Sequence, residues 1–125
     1  MRTHEDLEVW KQAVSLSVSI YKITASFPSD EKFGLTSQMR RAAVSIASNI
    51  AEGAARHSRR EFVKFLAISA GSASEINTQL IIAKEIGMGD QEQLTELRNR
   101  AARISQMLQK LIQAVREKEH HMEPL

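Results

Sequence analysis

A chain of 125 residues, 42% apolar and 26% charged, has the length of one domain and lies well away from the composition of disordered chains. It contains no cysteine, which excludes a disulfide framework and a thiolate metal site. The net charge of +2 is small but uneven: residues 40–64 hold six basic side chains against two acidic ones, a net +4, and the remainder is −2. That basic zone is either a solvated helix end or a surface that meets an anionic partner such as nucleic acid.

Read in chain order, the opening stretch "MRTHEDLEVW" carries acidic residues where a secretory signal would have a basic start and an unbroken apolar run. No apolar run reaches the 18 residues of a transmembrane span. The cytoplasm is the expected compartment. Thr3 and Asp6 can open a first helix, and Leu7, Trp10, Ala13, Val14, Ile20, Tyr21 and Thr24 recur at three- and four-residue spacing as its core stripe. "FPSDE" ends it, so helix one is expected over residues 5–27.

After a turn through Gly34, a stripe of Leu35, Met39, Ala43, Ile46, Ile50 and Gly53 marks helix two over residues 35–56. Ser58 and Glu61 then form an S-x-x-E signal directly before "FVKFLAIS", which starts helix three at residue 59 and places the basic cluster on a helix–helix corner. Gly87 is the expected C-terminal stop near residue 86, and Asp90 the cap of a fourth helix over residues 91–118. The final stretch "EKEHHMEPL" is expected to fray. Four such helices with short connections make an all-α fold, an antiparallel up-down four-helix bundle in one domain spanning residues 1–125.

The helix faces carry three further expectations. Helix one has a second apolar edge of Val9, Leu16, Ile20, Ile23 and Phe27, wider than one bundle core needs, and this edge is the expected oligomer interface. Helix two is rich in small residues, with Gly53 on its core face where another backbone can approach closely. Its flank of Gln38, Ser45, Asn49 and Glu52 can face Ser72, Glu75 and Gln79 of helix three as a polar network. If Glu52 and Glu75 came close, one would hold a proton towards neutral pH unless Arg40 or Arg41 compensated. An acid–base pair is then conceivable, although a network that sets packing and register is the favoured reading.

Other chemistry is sparse. A diiron bundle needs two Glu-x-x-His pairs, and only Glu117 with His120 has that spacing, beyond the expected core of helix four. "GSASE" lies mid-helix, without the strand–turn–helix setting of a nucleophile elbow, and no phosphate-binding glycine motif occurs. No enzyme activity, metal or cofactor is therefore expected. Arg56, Arg59, Arg60 and Lys64 are the candidate phosphate contacts, because cations at the start of helix three oppose its dipole unless an anion relieves them. Arg100, Arg103 and Lys110 add an outer stripe on helix four, interrupted by Glu96. The corner offers no exposed-looking aromatic for base stacking, so binding to backbone and shape is expected, with strong salt dependence.

"DLEVWKQAVSL", the stretch from Phe27 to Leu66 containing "GLTSQMRRAAVSIASNIAEGAARHSRREFVKFL", and "ISAGSASE" together resemble the 23S ribosomal RNA intervening-sequence protein family. The resemblance covers nearly the whole chain and rests on the combination of Asn-x-x-Glu-Gly with Gly-Ser-x-x-Glu. It implies a four-helix bundle assembling as a ring-shaped homo-oligomer, typically a pentamer, similar in architecture to the accessory protein of diversity-generating retroelements, which binds nucleic acid and a reverse transcriptase. Asn49, Glu52, Gly53, Arg56, Ser58, Ser72 and Glu75 occupy the motif positions, while Ala73 departs from the larger apolar residue expected there. The expected function is a non-enzymatic, oligomeric bundle that binds nucleic acid, RNA favoured. The alternative is a protein–protein interaction scaffold with no direct nucleic-acid contact.

Overall fold

The structure, a computed structural model, describes residues 3–122, with side chains described to residue 118. Four helices account for most of it: α1 (Glu8–Thr24), α2 (Leu35–Ala54), α3 (Arg59–Glu85) and α4 (Gln91–Met122). Short 3-10 turns at His4–Asp6 and Ser29–Glu31 precede α1 and α2, and no strand occurs among the described residues. Each helix packs against its chain neighbour, and α4 closes back on α1, while the diagonal pairs make no close backbone approach. The short connections reverse direction each time, which gives the antiparallel four-helix bundle.

Local chemistry explains the boundaries. The Thr3–Asp6 pair forms its reciprocal capping box, but the element it caps is the 3-10 turn, and α1 begins only at Glu8. At the other end of α1, Thr24 and Ser26 turn their hydroxyls back onto the carbonyls of Ile20 and Ile23, at 2.6 and 2.8 Å, and the helix stops at Thr24 rather than at residue 27. Ser58 accepts a bond from the Glu61 N–H at 3.2 Å and starts α3 as expected. Gly87 ends α3 at φ +76°, with the Gly87 and Met88 N–H groups bonded to Lys84 and Ala83 in a Schellman arrangement. Asp90 caps α4 through the N–H groups of Glu92 and Gln93. That helix runs to Met122, so the expected fraying from residue 117 gives way to continued helix; residues 123–125 lie outside the described residues, as does the side chain of His120.

The core is a stack of layers from all four helices: Leu16, Ile20, Met39, Ile46, Ile50, Leu66, Ile76, Leu80, Leu94, Ile104 and Leu108 are fully buried. Removing a side chain of this size from water is worth about 1.5–3 kcal/mol, so this apolar stack is the main source of stability. Ala73 is itself fully buried. Val9, Leu16, Ile20, Ile23 and Phe27 also belong to this core, which corrects their expected role as an oligomer interface. They are 0–8% exposed in the single chain, Ile23 and Phe27 packing beside Gly89 of the α3–α4 connection. Val14 and Tyr21, read from the sequence as core, are instead exposed.

Candidate functional site

The seam between α2 and α3 is closed by small residues. A Cβ added at Gly53 would sit 2.7 Å from the Phe65 Cβ and 3.3 Å from the Phe62 carbonyl oxygen, so only glycine lets the two helices meet there. Farther along, the Ser69 hydroxyl donates to the Ile46 carbonyl at 2.7 Å, inside the core. Ser45 and Ser72 share a hydrogen bond of 2.8 Å across the seam, and Asn49 donates to the Ser45 carbonyl at 2.8 Å and to its hydroxyl at 2.9 Å. Ser45, Asn49 and Ser72 thus form one hydrogen-bonded cluster on the seam, and the Ser69 bond to Ile46 is a separate contact beside it.

The outer members of the expected network do not join. Glu52 accepts from Arg56 at 2.7 Å on the surface, and Gln38 is exposed. Gln79 donates weakly to Glu75 at 3.4 Å within α3, leaving its buried Oε1 without a partner. Because Ser45 meets Ser72, antiparallel register puts Glu52 beside residue 65 and Glu75 beside residue 42, roughly 15 Å apart at about 1.5 Å per residue. The two carboxylates form no acid–base pair. Sequence spacing places residues on a face, but the offset between two helices is set by where the corner turns, which spacing alone does not give.

That corner brings Arg56, Arg59, Arg60 and Lys64 together, with His57 at a left-handed φ of +56° making the turn. Arg56 is held by Glu52 and lies 5.0 Å over the Phe65 ring, and the Lys64 ammonium lies 5.9 Å from the same ring. Arg60 and Lys64 are exposed and Arg59 is partly so. Among the described residues, Arg59, Arg60 and Lys64 make no ion pair within 4 Å, and the carboxylate nearest them in sequence is Glu61, in the same turn of α3. On α4, Arg103 and Lys110 are exposed, but Arg100 donates to Ser15 and Ser19 of α1, both at 2.9 Å, and helps hold α1 to α4.

Two further features were missed. The first is an open groove of about 590 Å³ between α1 and α2, lined by Val14, Ser17, Val18, Tyr21, Val44 and Ala47 among others. Val18 is 49% and Tyr21 46% exposed, on a chain whose core is otherwise closed. The wide apolar arc of α1 was legible as a sign of this; which edge of the arc turns inward was not. The second is a cleft of about 360 Å³ at the start of α2, where Tyr21, Lys32, Phe33, Arg40 and Arg41 converge. Among the described residues no set of three or more His, Asp or Glu is placed to hold a metal ion, and no helix is long and apolar enough to cross a membrane.

With the bundle and its surfaces in place, comparison with known proteins decides the family. A family model described as "23S rRNA-intervening sequence protein" matches residues 5–110. The chain belongs to the 23S rRNA-intervening sequence protein family. A solved relative by structure is a Bacteroides thetaiotaomicron VPI-5482 protein of unknown function from the S23 ribosomal protein family, with a TM-score of 0.75 and 25% identity. The match covers 83% of this chain and 97% of that one. Comparison with curated proteins found no match. The family assignment agrees with the motif reading of Asn49, Glu52, Gly53, Ser72 and Glu75 and leaves the biochemical role to be argued from the surfaces.

Proposed function

We propose that this member of the 23S rRNA-intervening sequence family is a non-catalytic, self-assembling bundle that binds nucleic acid, RNA favoured, through its basic surface. The observation that carries the reading is the set of unpaired cations Arg59, Arg60 and Lys64 on the first turns of α3. They oppose the positive end of the helix dipole, and a phosphate would satisfy both the cations and the free N–H groups of that turn. Arg103 and Lys110 extend the charge along α4, whereas Arg56 is paired with Glu52 on the surface and Arg100 bridges α4 to α1. Assembly rests on the apolar groove between α1 and α2, which a second copy would cover; a pentameric ring is what the family resemblance favours.

The test is a titration of the purified protein with RNA and with duplex DNA at two salt concentrations, its mass in solution recorded throughout. Each lost phosphate contact lowers the slope of log affinity against log salt by about 0.7–0.9. Replacing Arg59, Arg60 and Lys64 together by Gln is therefore expected to flatten the slope by about 2–3 with the oligomer intact. A variant that falls to monomers would make the corner an assembly element instead. Absence of binding at low salt by an intact wild-type oligomer would favour the interaction-scaffold reading. A wild-type chain that stays monomeric would sink the assembly reading.

A further inference from the structure

We infer that the cleft at the start of α2 is a binding site for single-stranded nucleic acid, with Phe33 as a base-stacking platform and Arg41 and Lys32 as phosphate contacts. This deepens the RNA reading and rests on it, but it places the base-recognising surface away from the α2–α3 corner. The two sites lie at opposite ends of α2, since the cleft surrounds residues 32–41 and the corner follows residue 54. The roughly 13 residues of helix from Arg41 to Ala54, at about 1.5 Å per residue, put about 20 Å between their near edges.

The argument starts from Phe33, which is 89% exposed. Burying such a ring would stabilise the chain, and the fold leaves that gain untaken. A lone exposed apolar side chain would call for no explanation. Phe33 is not alone, however, because Tyr21 from α1 and three cations from the connection and from α2 line the same cleft of about 360 Å³. The Lys32 ammonium lies 5.5 Å from the centre of the Phe33 ring. The Arg40 guanidinium lies 4.6 Å over the Tyr21 ring and is pinned by its bonds to the Thr24 hydroxyl at 2.9 Å and to the Tyr21 carbonyl at 3.3 Å. Arg41 is exposed and makes no hydrogen bond or ion pair.

The division of labour follows from these contacts. The pinned Arg40 is a wall of the cleft, and its planar face over Tyr21 is held without further ordering. Arg41 and Lys32 are the cations free to meet a phosphate. Thr36 and Ser37 add hydroxyls to the lining. Glu31, next in the chain to Lys32, accepts from the Leu35 N–H at 3.1 Å and makes no ion pair with Lys32 or Arg41. Exposed rings beside unpaired cations are what single strands bind, because every base has a face that stacks and each linkage carries a charge. A duplex keeps its bases stacked on one another and offers only the phosphates.

The experiment compares wild type, Phe33→Ala, Phe33→Trp and the triple corner variant against a single-stranded RNA of about 12 nucleotides, within the usual site size, and against a duplex RNA of the same length. Stacking lost on Phe33→Ala is expected to weaken single-strand binding about five- to a hundredfold and leave duplex binding within about twofold. Phe33→Trp is expected to retain single-strand affinity. An exposed side chain such as this can be replaced without unfolding, which unchanged helical circular dichroism would verify. If Phe33→Ala binds the single strand like wild type while the corner variant loses it, the cleft assignment fails and the corner reading stands. Equal losses on single strand and duplex, or equal binding of polyglutamate and RNA, would also overturn it, since the cleft would then be sensing charge alone. Failure of wild type to bind either RNA would end both readings together.

Discussion

The two long sides of α2 have opposite characters. Towards α3 it presents Gly53, Ser45 and Asn49 to a partner that answers with Phe65, Ser69 and Ser72, and the seam is filled and hydrogen-bonded. Towards α1 it presents Val44 and Ala47 to Val14, Val18 and Tyr21, and the seam stays open as an apolar groove. Small residues alone do not explain the difference, because both sides have them. What differs is whether the facing side chains reach the gap: the phenylalanines of α3 reach into the space that Gly53 leaves, while the valines of α1 stand apart on the rim. One side of α2 is therefore spent on the fold, and the other stays exposed as an open apolar groove.

Adding one carbon at Gly53 should break the closed side most sharply. In an open helix position Gly→Ala stabilises by about 0.5–1 kcal/mol, but the Cβ would stand 2.7 Å from that of Phe65, and overpacking of this kind costs about 1–3 kcal/mol. Gly53→Ala is expected to destabilise by about 1–3 kcal/mol in a denaturant titration. Gly71, with nothing within 4 Å of its would-be Cβ, is the control, and Gly71→Ala should stabilise. If both substitutions stabilise, the α2–α3 approach has room for a methyl group at Gly53.

A smaller loss should follow at the hydrogen bond across the same seam. Ser69→Ala keeps the volume and removes only the donation to the Ile46 carbonyl, for an expected loss of about 0.5–1.5 kcal/mol. Pairing it with Gly53→Ala in a double-mutant cycle measures whether the closed side acts as one unit; a coupling within about 0.5 kcal/mol would mean that the two contacts are independent.

The four helices, the caps at Ser58 and Asp90 and the Gly87 stop were legible because each depends on residues within one turn of each other. The close approach at Gly53 was legible as well, and so was the facing of the two polar flanks, though not that Ser45 would meet Ser72. What spacing did not reveal was rotation and offset. The arc of α1 is apolar over so wide an angle that the pattern does not say which of its edges, Val9, Leu16 and Ile20 or Val14, Val18 and Tyr21, turns inward. Packing against α2 and α4 makes Leu16 core and Val18 surface. Phe33 was invisible for a different reason: in "EKFGL" it reads as an ordinary apolar residue before a helix, and only the course of the connection turns it outward.

The smallest expected effect on stability is also the one that tests the open side most directly. Val18 stands about half exposed on the rim of the groove, so Val18→Glu removes little buried area from the single chain, and its stability should change by no more than about 0.5 kcal/mol. A carboxylate there would have to be desolvated if a second copy covered the groove, and an unpaired charge in an interface of that kind costs several kcal/mol. The substitution is therefore expected to leave helix content and melting almost unchanged while shifting the mass in solution from oligomer to monomer. Sedimentation of wild type and variant at matched concentration separates the cases. An intact oligomer of the variant would mean that the groove is not where copies meet. Monomers with a large loss of stability would instead make the α1–α2 seam part of the fold, and the contrast between the two sides of α2 would be one of packing density only.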